Sequence, residues 1–177
     1  NMHTLTRQIR FSINPFEPAN PLGYNSHASK PSGGDSFSVY FSVWVSIRGP
    51  VSPATGFVTN VARIDQVFRE ICVPLFDQQL RESFLDAQTL SFEQIIDLLE
   101  ITQQKLTGSF DGFDVVSLTF DLSPFRKLIV NFDSQDNKMT YFTEKFEFAA
   151  MHKLWNKDFS DEKNYQTFGK CANPAGH

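Results

Sequence analysis

The sequence predicts an α+β fold, an antiparallel sheet with two helices on one face in the order β-β-α-α-β-β. Three observations predict it. Residues 36–48 alternate strictly: Phe37, Val39, Phe41, Val43, Val45 and Ile47 share one face, and Ser38, Tyr40, Ser42, Trp44, Ser46 and Arg48 the other. Two stretches, near 60–73 and 91–107, carry apolar residues at helical spacing between start and stop signals. The other apolar runs are short and bounded by Gly, Pro, Asn and Asp, as strands are.

Leu5–Ile13 reads as a half-buried strand, with Leu5, Ile9, Phe11 and Ile13 on one face and only Arg7 interrupting. Asn14–Asp35 is rich in Pro, Gly, Asn and Ser and reads as a long loop. The long strand Ser36–Arg48 ends at Gly49-Pro50, and Pro53-Ala54-Thr55-Gly56 is a turn. Asn60 caps the first helix, whose stripe is Val61, Ile64, Val67, Phe68 and Ile71, and Pro74 is expected to stop it. Ser91 and Gln94 form a capping box for the second helix, with Leu90 and Ile95 as its hydrophobic staple. Ile95, Leu98, Leu99 and Leu106 continue its buried face to Gly108. Val115–Phe120 and Lys127–Asn131 are expected to form a hairpin around Ser123-Pro124, Asp133–Lys138 a polar link, and Thr140–Met151 a further strand.

The chain has 177 residues, 41% hydrophobic and 20% charged, which is enough apolar content to build a core. Nineteen Phe residues fit aromatic-rich β packing. A net charge of −4 and a pI near 5.5 argue against nucleic acid or an anionic membrane as the main partner. No apolar run approaches membrane length, and the first residues lack a signal-peptide pattern. Cys72 and Cys171 do not make a disulfide framework, Cys72 lies within an apolar helical pattern, and a reducing cytoplasm fits. Walker, Rossmann and nucleophile-elbow patterns are missing from the sequence.

The chemistry-bearing stretch is Phe146–His177. An apolar run ends at His152, a charged loop follows from Lys153 to Lys163, and Cys171 sits in a Gly/Pro/Asn loop beside Lys170. His177 lies six residues on, too far for a one-turn helical pair, so His152 and His177 can meet only through the fold. Two imidazoles converging from a strand end and a loop are ordinary zinc ligands, although spacing alone fits a chance Cys and two surface His residues as well. His3 and His27 fall in a terminal tail and a loop and are expected to be solvated. Asp111 and Asp114 flank Gly112 with too few carboxylates for a calcium loop, and Asp158, Asp161, Glu162 and Lys163 read as a solvated charge run.

Phe148-Ala149-Ala150-Met151-His152 followed by Gly169-Lys170-Cys171 and, six residues on, His177 resembles the opening of the 6-pyruvoyl- and 6-carboxy-tetrahydropterin synthase family. In that family a strand ending Phe-Ser-Ala-Ala-His leads to a loop Gly-Lys-Cys-x5-His-Gly-His-Asn-Tyr, and the spacer Ser160–Asn164 is similar as well. The second loop histidine and the next strand would come after His177. The resemblance implies the tunnelling fold, in which sheets of several subunits close into a barrel with helices outside. It thus implies a homo-oligomer, a trimeric or hexamer-like ring.

Thr6–Pro15 also aligns with Thr143–His152, an internal repeat. The resemblance therefore implies one tunnelling-fold copy over 4–133 and the start of a second over 139–177. Gly49-x3-Pro53-Ala-Thr-Gly56-x2-Thr59-Asn60 matches the family's turn and helix start. Counted back from there, the first copy has Phe37 and Val39 at the loop histidines, Pro31 (after Lys30) at the cysteine, and Pro15 at the strand histidine. Leu75-Phe76-Asp77 stands where the family has Leu-Asp-His, and the pterin-anchoring glutamate falls near Phe120 or Asp121. The first copy is thus expected to be structure without metal chemistry.

The resemblance implies a zinc-dependent lyase that eliminates triphosphate from 7,8-dihydroneopterin triphosphate and rearranges the side chain, in tetrahydrobiopterin or queuosine biosynthesis. His152 and His177 are the expected zinc ligands, and Cys171 is the expected catalytic base, facing substrate rather than replacing the missing third histidine. The alternative is a non-catalytic module for assembly or for binding a pterin-like ligand. Tyr40 and Trp44 are expected to pack against a neighbouring sheet or subunit, with stacking on a pterin ring as the other use.

Overall fold

The computed structural model describes residues 1–16, 38–132 and 138–177. The loop from residue 17 on, with His27, Lys30 and Pro31, the strand start at Ser36 and Phe37, and residues 133–137 of the polar link lie outside the described residues. The chain divides into two compact units, Asn1–Glu144 and Lys145–His177.

The first unit is an α+β layer. Its sheet has five strands in the order β1 (Met2–Ile13), β2 (Val39–Pro50), β3 (Asp114–Ser123), β4 (Arg126–Asn131) and β5 (Met139–Glu144). All neighbours pair antiparallel. Three helices lie between β2 and β3 in sequence: α1 (Val61–Ile71), α2 (Val73–Leu85) and α3 (Phe92–Leu106). Alternation makes the sheet amphipathic. Ile9, Phe11 and Ile13 of β1, Phe41, Val43, Val45 and Ile47 of β2, Leu118 and Phe120 of β3, and Leu128 and Val130 of β4 are buried in one core with the helices. Phe76 of α2 anchors that core, with its ring 5.5–6.2 Å from those of Phe11, Phe41, Phe68 and Phe120.

The helix count corrects the expectation of two. Pro74 does not end the helical region. Cys72 caps α1 and precedes α2, and Pro74 sits in the first turn of α2, where its missing N–H would have had no partner anyway. The expected caps are present. Asn60 accepts from Ala62 N–H, and Ser91 and Gln94 exchange both capping-box bonds. Gly49 has the Phe113 ring where a side chain of its own would stand.

The last expected strand is shorter than its sequence pattern. β5 pairs with β4 over Met139–Glu144, but Lys145–Met151 is not strand. Phe146 and Phe148 are 80% and 89% exposed, so the alternation there has no buried face to serve. The second unit adds a helix that the charge run concealed, α4 (Asp161–Phe168). Ser160 caps it, and Asp161 and Glu162 lie in its first turn, where acidic side chains suit the helix dipole.

Candidate functional site

The second unit brings the three predicted residues together. Its frame is a two-stranded clasp: His152 N–H donates to the His177 carbonyl at 3.1 Å, and His177 N–H returns to the His152 carbonyl at 3.0 Å. Leu154 N–H donates to the Cys171 carbonyl at 2.8 Å, which fixes the cysteine loop against the same stretch. Asn164, fully buried in α4, holds the other end. Its side-chain oxygen accepts from Asn156 N–H, and its amide nitrogen donates to the carbonyls of Asn156, Phe159 and Ser160. Gly169, at φ 52°, turns the chain from α4 into the 3-10 turn Gly169–Ala172 that carries Cys171, a left-handed backbone suited to glycine.

On that frame the Cys171 sulfur lies 3.1 Å from His152 Nε2, and the His152 and His177 rings stand 5.5 Å apart at 72°. The thiol is therefore turned toward an imidazole, a contact the sequence reading did not foresee. A thiol beside imidazole nitrogen can pass its proton to it, which is how an unreactive thiol becomes a base or nucleophile. The donor set, two imidazoles and a sulfur, is of the kind zinc prefers. Among the described residues no three His, Cys, Asp or Glu side chains are placed to hold one metal ion together.

The first unit has a different constellation, on the sheet face opposite the helices. A cavity of about 490 Å³ is lined by Gln8, Tyr40, Ser42, Asp121 and the Leu122–Pro124 turn. Asp121 Oδ2 accepts from Ser42 Oγ at 2.6 Å and from Trp44 Nε1 at 2.8 Å, while Gln8 Nε2 donates to Ser42 Oγ at 3.0 Å. The β3–β4 register shifts between Asp121 and Ser123, a bulge of the kind that re-aims a side chain beside a site. Trp44 is thus tied to Asp121, and Tyr40 is 61% exposed. Sequence reasoning named Asp121 and the two aromatics but missed Gln8 and Ser42. Those two belong to this cluster only through the pairing of Gln8 with Trp44 and of Val43 with Phe120, which spacing along the chain does not encode.

The positions matched to the other ligands of the first copy are structural where they are described. Val39 opens β2 opposite Ile13, Phe76 is core, and Asp77 pairs with Arg81 at 2.8 Å. The Arg81 guanidinium also donates to the carbonyls of Asn14 and Pro15, so the strand end is clasped by α2. His3 is exposed.

Part of the chain is similar to 6-pyruvoyl tetrahydrobiopterin synthases. A segment of 35 residues is 49% identical to the enzyme so named from Pongo abelii and to that from Homo sapiens, which is 20% of this chain and 24% of each relative. The enzyme from Poecilia reticulata is 42% identical over 40 residues, 23% of this chain and 27% of the relative. The chain thus spans about a quarter of the length of the curated relatives it matches. No family model matches. The solved 6-pyruvoyl tetrahydropterin synthase of Caenorhabditis elegans superposes with a TM-score of 0.42 at 17% identity, over 80% of this chain and 95% of that one.

Proposed function

We propose that Lys145–His177 carries part of a zinc-dependent pterin synthase site, acting on 7,8-dihydroneopterin triphosphate with His152 and His177 as metal ligands and Cys171 as the base. The observation that carries this reading is the convergence of His152, Cys171 and His177 within one small unit, joined to the 49% identity over 35 residues with the named synthases. Zinc, when bound, supplies Lewis acidity at the substrate's side-chain oxygens. The chain's own residues do the rest. The His152–His177 backbone clasp holds both imidazoles at one end of the unit, and the Cys171 sulfur lies beside them, where as thiolate it would accept a proton from a substrate carbon. In this reading residues 4–133 form one copy of the fold without metal chemistry, residues 139–177 open a second, and the working protein is a ring-shaped homo-oligomer.

Cobalt titration tests it. Intact protein is expected to give visible Co(II) bands that weaken in His152→Ala and in His177→Ala, while Cys171→Ala keeps metal but loses triphosphate release from the pterin. Equal, tight metal uptake by both histidine variants would place the site elsewhere.

A second reading is favoured by the Asp121 cavity: the first unit binds a flat, N–H-bearing heterocycle without transforming it. Ligand quenching of Trp44 that is lost in Asp121→Asn and unchanged in Cys171→Ala would support that reading against the catalytic one.

A further inference from the structure

We propose that Ser123, at the tip of the β3–β4 hairpin, is a phosphorylation site for a proline-directed kinase, and that its phosphate takes Arg126 from Glu144 and loosens that end of β5. This inference does not rest on the enzymatic reading.

Sequence and exposure select the residue. Ser123-Pro124-Phe125-Arg126-Lys127 sets proline directly after the serine and a cation three residues on. A kinase cleft that buries the position after the acceptor, with no partner for an N–H there, favours proline, which has none. A cation two residues further meets a negative group of the kinase. The other Ser-Pro pair of the chain, Ser52-Pro53, has Thr55 at that place.

Residues 123–127 are all exposed. Ser123 and Arg126 form the last pair of the β3–β4 ladder, beyond the register shift that follows Asp121. A terminal pair past a bulge opens at less cost than the ladder behind it. Ser123 Oγ accepts from Phe125 N–H at 3.2 Å, and opening the tip gives up that contact. The co-reactant is ATP. Its γ-phosphorus bonds to Ser123 Oγ as the bond to the β-phosphate oxygen breaks, ADP leaves, and the hydroxyl proton passes to a base of the kinase.

The consequence follows from the register. Ser123 stands opposite Arg126 of β4, and Arg126 stands opposite Glu144 of β5. One guanidinium thus has the serine on one side and the carboxylate on the other. In the unmodified chain Arg126 Nε donates to Glu144 Oε1 at 2.6 Å. Phosphoserine carries a charge of about −1.5 to −2 at pH 7 and three acceptor oxygens, more than one carboxylate offers. Directly opposed β-carbons are about 4.5–5.5 Å apart, within reach of a paired guanidinium–phosphate contact. Glu144 then loses its cation and faces a dianion.

The loosening is local. The start of β5 is tied elsewhere, by the ion pair of Lys138 with Glu100 and by the stacking of Phe142 on Phe92 with centroids 5.3 Å apart. Its residues are otherwise shallowly held, since Met139, Tyr141 and Phe142 are 44–48% exposed.

The test treats the folded full chain with a cyclin-dependent kinase and ATP and maps the product by mass spectrometry. One phosphate is expected at Ser123, with Ser52 unlabelled. Labelling should vanish in Ser123→Ala and be about tenfold slower in Arg126→Gln, the loss of one charge-assisted hydrogen bond to the kinase. Amide exchange at Thr143 and Glu144 should rise about two- to fivefold in the phosphorylated chain, the value of an exposed ion pair, with exchange at Met139 unchanged. Unmodified Arg126→Gln should show the same rise. Labelling of a peptide of residues 119–130 but not of the folded chain, or labelling of Ser52 in preference, would overturn the site. Phosphate at Ser123 with exchange at 143–144 unchanged would overturn its effect on Arg126. Mapping on the unmutated chain reads the site directly, so the test holds even where a variant fails to fold.

Discussion

Cys72, fully buried in the bend between α1 and α2, has its thiol pushed up to about 12 from the ordinary 9.0 by burial. A thiol that ionises later in the folded chain than in the unfolded one stabilises the fold fully below pH 9 and loses that contribution as pH rises toward 12. Cys72 is therefore expected to resist alkylation at pH 8 until the protein unfolds, and stability measured by denaturant titration should fall from pH 9 upward, less steeply in Cys72→Ala. Alkylation of native Cys72 at the rate of a free thiol would contradict this. At this scale the sequence showed Cys72 as core, because its neighbours repeat with helical period. The same reading singled out His152, Cys171 and His177, yet the 3.1 Å approach of the thiol to Nε2 was not legible. That distance depends on the backbone clasp between residues 152 and 177, and no local pattern announces such a pairing.

The helix α3 is set by its start signal. Ser91→Ala removes the hydroxyl that accepts from Gln94 N–H at 3.2 Å, and is expected to cost about 1 kcal/mol by thermal or chemical unfolding. A Thr replacement should retain most of that stability, because its hydroxyl can accept the same bond. Elements of this kind were the legible ones: β1, β2, α1, α3 and the β3–β4 hairpin each carry a period and a boundary. α2 was hidden because Pro74 has two meanings, the end of one helix or the first turn of the next, and only the tertiary burial of Phe76 chooses between them. β5 was read too long for the opposite reason. Its alternation runs on past Glu144, but β4 begins at Arg126, whose partner is Glu144, and a strand lasts only as far as its ladder.

For the whole first unit, the apolar core that joins sheet to helices turns on Phe76, whose ring meets four others. Phe76→Ala is expected to cost about 3–5 kcal/mol, read as a lower midpoint in denaturant with an unchanged slope. A loss below 1 kcal/mol would mean that the core closes over the gap. The α+β class and the antiparallel sheet were legible because alternation and helical stripes each fix a layer. The division at Glu144 was not, since Tyr141, Phe142, Phe146 and Phe148 continue one apolar pattern across it.

Gly49 and Phe113 have one volume between them: the ring of Phe113 fills the space that a β-carbon at residue 49 would need. Neither residue is therefore free to vary by itself. A methyl group at 49 evicts the ring, whereas loss of the ring leaves a gap that a methyl at 49 would partly fill. In a set of related chains the two positions should drift together, glycine with a large aromatic and alanine with a smaller side chain. Their double-mutant coupling should be favourable even where each single change is costly.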